Sequence, residues 1–132
     1  MAGPKLDGAG NAKLATLESA LTQLQRVHGV VEQCAVAVKG QQPASTFVPQ
    51  IRRATQPMVG LLKGQFGMIS DQVASFLLAA TRGGGNDHTR VRILREGVAQ
   101  LRVQLELAVA KTHELHTIDD AHEGPAARGT SS

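Results

Sequence analysis

Apolar residues recur at helical spacing along three long segments of this chain. Within each segment they step by three or four positions, or by seven where one position is skipped, which is the period of an α-helix. The three stripes are Leu14, Leu17, Leu21, Leu24, Val31 and Val38; Ile51, Ala54, Met58, Leu62, Ile69, Val73, Phe76 and Ala80; and Val91, Leu94, Val98, Leu101, Leu105, Ala108 and Leu115. The sequence therefore predicts an all-α fold, an antiparallel up-down bundle of three long helices.

The chain has the length of one domain, at 132 residues. Residues 1–10 are glycine-rich and are predicted to form a flexible N-terminal lead. Residues 11–118 are predicted to form the helical bundle. Residues 119–132 are polar, and we expect them to form a disordered tail.

Polar and glycine residues mark the ends of the first and third helices. Asn11 is predicted to cap the start of the first helix, and Gly40 to end it. The glycine run 83–85 predicts a turn, after which Asn86 or Asp87 caps the third helix. These signals place short loops between long helices.

The second helix carries the weakest helical sequence. Ser45 or Thr46 is predicted to cap it, with Pro49 in its first turn. Its interior holds four residues that disfavour a helix: Pro57, Gly60, Gly64 and Gly67. An interior glycine costs about 1 kcal/mol relative to alanine, and an interior proline about 3 kcal/mol. We therefore expect either a kink near residues 56–57 or a break at Gly64–Gly67, and the break would give four helices.

Cysteine use and the N-terminal sequence bear on the compartment. Cys34 is the only cysteine, which excludes an internal disulfide and favours a reducing compartment. We expect Cys34 to be a small core residue. The N-terminal segment lacks an apolar signal core, so we expect that the protein is not secreted. No apolar run approaches the roughly 18 residues of a membrane span.

Several apolar residues lie outside the three stripes and widen the apolar face of their helices. A helix that is apolar over much of its circumference is buried on more than one side. We interpret the extra residues as a face that binds a partner, either another helical protein or a second copy of this chain. The predicted partner-binding residues are Val27, Val30, Ile93, Val103 and Leu107. The alternative is that they are the scattered apolar residues that every protein surface keeps.

Basic residues outnumber acidic ones, and the formal net charge is +3. A basic surface attracts nucleic acid or an acidic partner. The candidate nucleic-acid contacts are Arg52, Arg53, Lys63, Arg90, Arg92 and Arg95. The same residues also suit the solvated faces of ordinary helices, which we favour. The chain has no Trp or Tyr on which single-stranded bases could stack.

Patterns typical of catalysis are missing from the sequence. There is no nucleophile motif, and the glycines at 83–85 lack the strand and the Lys-Ser/Thr of a phosphate-binding loop. His113 and His116 are three residues apart and could contact one metal ion, but a polar helix end accounts for them as well. His28 falls in register with the first stripe, as expected of a residue that sets helix register or faces solvent. We therefore expect no enzyme activity, no cofactor and no metal.

Three strings carry a resemblance to a known family: Leu17-Glu18 leading into Leu21, Leu24, Val27, Gly29 and Val31; Ile69-Ser70-Asp71-Gln72-Val73; and Ala79-Ala80-Thr81-Arg82-Gly83. With the helix order and loop lengths, they resemble subunit 11 of the Mediator complex, a family of small helical proteins. The resemblance covers about residues 12–110. It implies a non-catalytic component of a transcription coactivator in the nucleus, paired with a helical protein similar to Mediator subunit 22. If the resemblance does not hold, we expect the protein to be cytoplasmic.

A second resemblance rests on two strings, Gln50-Ile51-Arg52-Arg53-Ala54 and Leu101-Arg102-Val103-Gln104-Leu105-Glu106-Leu107-Ala108. They are similar to strings in the four-helix-bundle family that includes ribosomal intervening-sequence proteins and retroelement accessory proteins. This resemblance implies a basic, self-associating protein that binds RNA or DNA.

Overall fold

A computed structural model describes residues 5–82 and 85–118 of the chain. Within these ranges the chain forms four α-helices, a short 3-10 turn and two strands of two residues each. The elements are β1 (Lys5–Leu6), α1 (Gly8–Lys39), the 3-10 turn (Ala44–Phe47), α2 (Val48–Lys63), α3 (Gly67–Arg82), α4 (Asp87–His116) and β2 (Thr117–Ile118). The predicted disordered tail, 119–132, lies outside the described residues.

The four helices form an up-down-up-down bundle, in which α1 contacts α2 and α4, and α3 completes the ring. Thr16, near the start of α1, donates a hydrogen bond to Gln65, which follows the end of α2, so these helices are antiparallel. The β1–β2 pair joins the two ends of the described chain, so α4 ends beside the start of α1. The prediction of an all-α antiparallel bundle is confirmed, in its four-helix form.

The expected break falls between α2 and α3, at Gly64–Phe66. Phe66 packs against the core, and its N–H donates to the carbonyl of Leu62, so the chain turns without leaving the bundle. Ser70 on α3 donates its hydroxyl to the carbonyl of Val59 on α2 at 2.9 Å, which ties the hairpin together. Pro57 stays inside α2. It is exposed, so the carbonyl that its missing N–H leaves unpaired can be hydrated.

The helix α1 starts four residues earlier than its sequence predicts. Asp7 is the N-cap, and its carboxylate accepts a hydrogen bond from the N–H of Gly10 at 2.7 Å. This bond, and after it the contact with His116, lowers the pKa of Asp7. The prediction of Asn11 as the cap was therefore wrong. The prediction of a flexible N-terminal lead was also wrong for residues 5–10, which belong to β1 and to the start of α1. Leu6 is buried and pairs through β1 with β2, which fixes this segment.

Three other predicted helix ends are confirmed. Gly40 ends α1, and its N–H donates to the carbonyl of Val36. Pro49 lies in the first turn of α2. Asn86 caps α4, and its side chain accepts a hydrogen bond from the N–H of Thr89 at 2.8 Å.

The link between α1 and α2 differs from its prediction, because Ser45 and Thr46 lie inside the 3-10 turn and cap no helix. The turn instead buries Ala44 against Cys34, whose thiol approaches the Ala44 carbonyl at 3.9 Å. Cys34 is fully buried, as expected of a core residue, and burial raises the pKa of its thiol.

One polar atom in the core is unsatisfied. The hydroxyl oxygen of Thr55 is fully buried and has no hydrogen-bond partner among the described residues. Thr55→Val keeps the side-chain shape and removes this hydroxyl, so we expect the free energy of unfolding to rise by about 1 kcal/mol. Urea unfolding followed by circular dichroism measures the change.

Thr112→Val is the matched control for Thr55→Val. Thr112 is also buried, but its hydroxyl donates to the carbonyl of Ala108 at 2.8 Å, so its removal should bring no gain. Equal stabilisation by both substitutions would show that the orphan hydroxyl is not the cause.

Candidate protein-docking groove

The buried face of α1 alternates steps of three and four residues along the helix. Its members, apart from Gly10, are Leu17, Ala20, Leu24, Val27, Val31, Cys34 and Val38. Val27 is 0% exposed and belongs to the main core, so its prediction as a partner-binding residue was wrong. Val30 is half-buried against the same core. These two residues of α1 therefore pack against the protein's own helices.

The other three predicted partner-binding residues lie on α4 and face solvent. Ile93 is 44% exposed, Val103 is 52% exposed and Leu107 is 59% exposed. Leu115, which the sequence placed in the third stripe, is also exposed, and Thr112 takes the buried position near it. The buried face of α4 otherwise follows the predicted stripe.

A groove of about 690 Å³ runs between α3 and α4, and we call it the α3/α4 groove. Two of the predicted residues, Ile93 and Val103, line it. The remaining lining residues are Asp71, Gln72, Ser75, Phe76, Ala79, Glu96, Gly97, Ala99, Gln100, Leu101 and Gln104. Sequence reasoning identified none of these as site residues.

Phe76 on α3 and Gly97 on α4 are in close contact in the α3/α4 groove. The aromatic ring of Phe76 lies against Gly97, so close that a Cβ atom at position 97 would overlap the ring. On either side of this contact the walls carry small or polar side chains, including Ser75 and Ala79 on α3. Among the neighbouring helices of the bundle, α3 and α4 contact each other the least, which leaves room for the groove.

A smaller hollow of about 290 Å³ lies nearer the end of the bundle that carries β1 and β2. Leu107 and Leu115 line it, together with Phe66 and Ile69. Gln104 lines both the hollow and the α3/α4 groove, so the two depressions adjoin along α4.

The α3/α4 groove and the neighbouring hollow between α1 and α4 are lined by different charges. The charged residues that line the α3/α4 groove are Asp71 and Glu96, and no Lys or Arg lies among its lining residues in the described chain. The hollow between α4 and α1 has a volume of about 250 Å³ and is lined by the basic residues Lys39, His88, Arg92 and Arg95. Arg92 lies one helical turn before Glu96.

Arg95 is engaged in an ion pair with Glu32 on α1, with Nη2 and Oε1 2.7 Å apart. The hydrogen bond from Arg95 lowers the pKa of the Glu32 carboxyl. The pair is exposed, so it joins α1 to α4 with little gain in stability.

The structure divides the six candidate nucleic-acid contacts into two groups. Arg52, Arg53 and Lys63 lie on α2, while Arg90, Arg92 and Arg95 lie on α4. Because α2 and α4 are diagonal in the bundle, their outer faces point in opposite directions. The structure therefore does not bring these six residues into one basic surface.

The histidines near the end of α4 are part of the contact between the chain ends. His116 Nδ1 lies 3.2 Å from Asp7 Oδ1, and its Nε2 lies 3.1 Å from Lys13 Nζ. In residues 5–82 and 85–118, no three His, Cys, Asp or Glu side chains converge where they could hold a metal ion.

No helix in the described parts of the chain has both the length and the apolar character needed to cross a bilayer. Comparison with known proteins found no family model, no curated protein and no solved structure that matches this chain.

Proposed function

We propose that the protein is a non-catalytic interaction subunit, which binds a helical segment of another protein in the α3/α4 groove. The observation that carries this proposal is the exposed apolar surface of α4, where Ile93 and Val103 line the α3/α4 groove and Leu107 lines the adjoining smaller hollow. Exposed apolar side chains next to a concave surface are typical of protein-binding sites.

A Mediator-like transcription coactivator in the nucleus is the specific assembly that we propose. Only the sequence resemblance supports this finer assignment. It names a helical partner similar to Mediator subunit 22, and that kind of partner agrees with a groove of helical dimensions. Co-expression of this chain with such a subunit from the same organism, followed by size-exclusion chromatography, tests the assignment, and separate elution of the two proteins would contradict it.

The docking surface itself is tested by charging it. We expect the double variant Val103→Asp, Leu107→Asp to bind its partner with an affinity at least about tenfold lower than that of the wild type. The reason is that each carboxylate must be desolvated on binding. The measurement is affinity purification from the source cells with each variant, and mass spectrometry of the retained proteins.

The matched control is the double variant Leu61→Asp, Met68→Asp, which charges two exposed apolar residues on α2 and α3 that line neither the α3/α4 groove nor the two hollows. The control should retain the same proteins as the wild type. Retention of these proteins by the double variant as well would place the partner elsewhere on the molecule.

Nucleic-acid binding is the second candidate function, and the basic hollow between α1 and α4 favours it. Lys39, His88 and Arg92 gather there beside Arg95. If phosphates bind in this hollow, the affinity for a short RNA or DNA duplex should fall steeply as salt is raised, and Lys39→Ala, Arg92→Ala should flatten that dependence. Absence of binding at low salt would eliminate this function.

A further inference from the structure

We infer that the α3/α4 groove selects a partner helix whose apolar stripe is flanked by Lys or Arg. This inference rests on the proposed docking function and adds the chemistry of the partner. It starts from the charge of the groove, which is acidic although the whole chain is basic.

The two acidic side chains lie on opposite walls. Asp71 belongs to α3 and Glu96 to α4, and both residues are exposed. A helix lying in the groove would therefore have one carboxylate near each of its flanks. Opposite charges on those flanks bring the helix to the groove, and like charges are repelled.

The walls suit a helix of about three turns. The part of α4 that lines the groove runs from Ile93 to Gln104, which is a length of about 17 Å at 1.5 Å per residue. Gly97, Ser75 and Ala79 are small, so a helix backbone can come close to the wall. Apolar side chains at positions i, i+4 and i+7 of the partner would reach Phe76, Ile93 and Val103.

The same charges disfavour the two other occupants. A second copy docked through the same face would use an isologous interface, in which the groove meets its own copy. Asp71 and Glu96 would then face an equally acidic surface. A nucleic acid in the groove would place its phosphates beside these carboxylates, while the basic hollow lies between α4 and α1.

Two stapled helical peptides test the inference. Both carry leucine at i, i+4 and i+7, and they differ only in their flanking residues, which are lysine in one and glutamate in the other. We expect the lysine peptide to bind the full chain about tenfold more tightly at low salt, as measured by fluorescence anisotropy, since two exposed ion pairs are worth about that ratio. The charge-reversal variant Asp71→Lys, Glu96→Lys should reverse the order of the two peptides.

The control variant, Glu18→Lys, Glu106→Lys, makes the same change in net charge at exposed positions outside the groove. It should leave the lysine peptide preferred, and circular dichroism checks that both variants are folded. Equal binding of the two peptides to the wild type would overturn the charge inference and leave the docking function standing. Failure of both peptides to bind would contradict the groove as a docking site, and with it the proposed function.

Discussion

Replacing Val27 with aspartate should lower the free energy of unfolding by about 4 kcal/mol or more. Val27 has no exposed surface and lies in a core cluster to which all four helices contribute. A carboxylate at this position would be buried among apolar side chains, where it either stays charged at a high cost or takes up a proton. Typical domains are stable by about 5–15 kcal/mol, so the change removes much of that margin. Thermal and urea unfolding at neutral pH measure the loss.

Val103→Asp is the matched control, because it makes the same substitution at a valine that faces solvent. Its free energy of unfolding should stay within about 0.5 kcal/mol of the wild type. If the Val27→Asp protein melted like the wild type, Val27 would lie on the surface, and its interpretation as a partner contact would stand again.

Replacing Gly97 with alanine should lower the free energy of unfolding, against the usual direction for a helix. Inside a helix, glycine to alanine normally stabilises by about 1 kcal/mol. At position 97, however, the added Cβ would overlap the ring of Phe76, which then has to leave its place in the groove. Overpacking of this kind costs about 1–3 kcal/mol, which outweighs the usual gain, so we expect a net loss of up to about 2 kcal/mol.

Gly29→Ala supplies the comparison, because Gly29 lies inside α1 and a Cβ there meets no other atom within 4 Å. The free energy of unfolding of Gly29→Ala should rise by about 1 kcal/mol. The double variant Gly97→Ala, Phe76→Leu should recover part of the loss, since the smaller side chain leaves space for the new methyl group. Equal gains at positions 29 and 97 would contradict the close contact between Phe76 and Gly97.

The bundle and most of its core could be predicted from the sequence, because apolar spacing reports directly which side of a helix is buried. The α2–α3 stripe shows this well: Ile51, Met58 and Leu62 are buried, and so are Ile69 and Val73. The break between α2 and α3 also had a local cause, because Gly64 and Gly67 both disfavour a helix at this point of the chain.

The error at Val27 has a physical reason. The apolar residues of α1 form two neighbouring rows along the helix. The sequence alone does not say which row is buried or how many helices pack against it. The prediction placed Leu14 and Leu21 in the buried row of α1, whereas the structure buries Ala20 and Val27 and leaves the two leucines partly exposed. The break between α2 and α3 folds the predicted second helix into a hairpin, so that α1 packs against both α2 and α4.

The α3/α4 groove could not be predicted, because it depends on the distance between two helices rather than on either one. The small residues Ser75, Ala79 and Gly97 were the available signal, but small residues also occur on helices that pack tightly or face water. The acidic pair is equally hidden, since Asp71 and Glu96 are 25 positions apart and meet at one groove only through the fold.

The β1–β2 pair makes the described chain close to a ring. Lys5 and Ile118 are register partners, and residues paired in antiparallel strands have Cα atoms about 5 Å apart. A short linker could therefore join these two positions, and the chain could be cut open at Gly85, before Asn86, instead. In such a circular permutant α4 would precede α1, and the four helices would keep the same neighbours, the same core and the same groove.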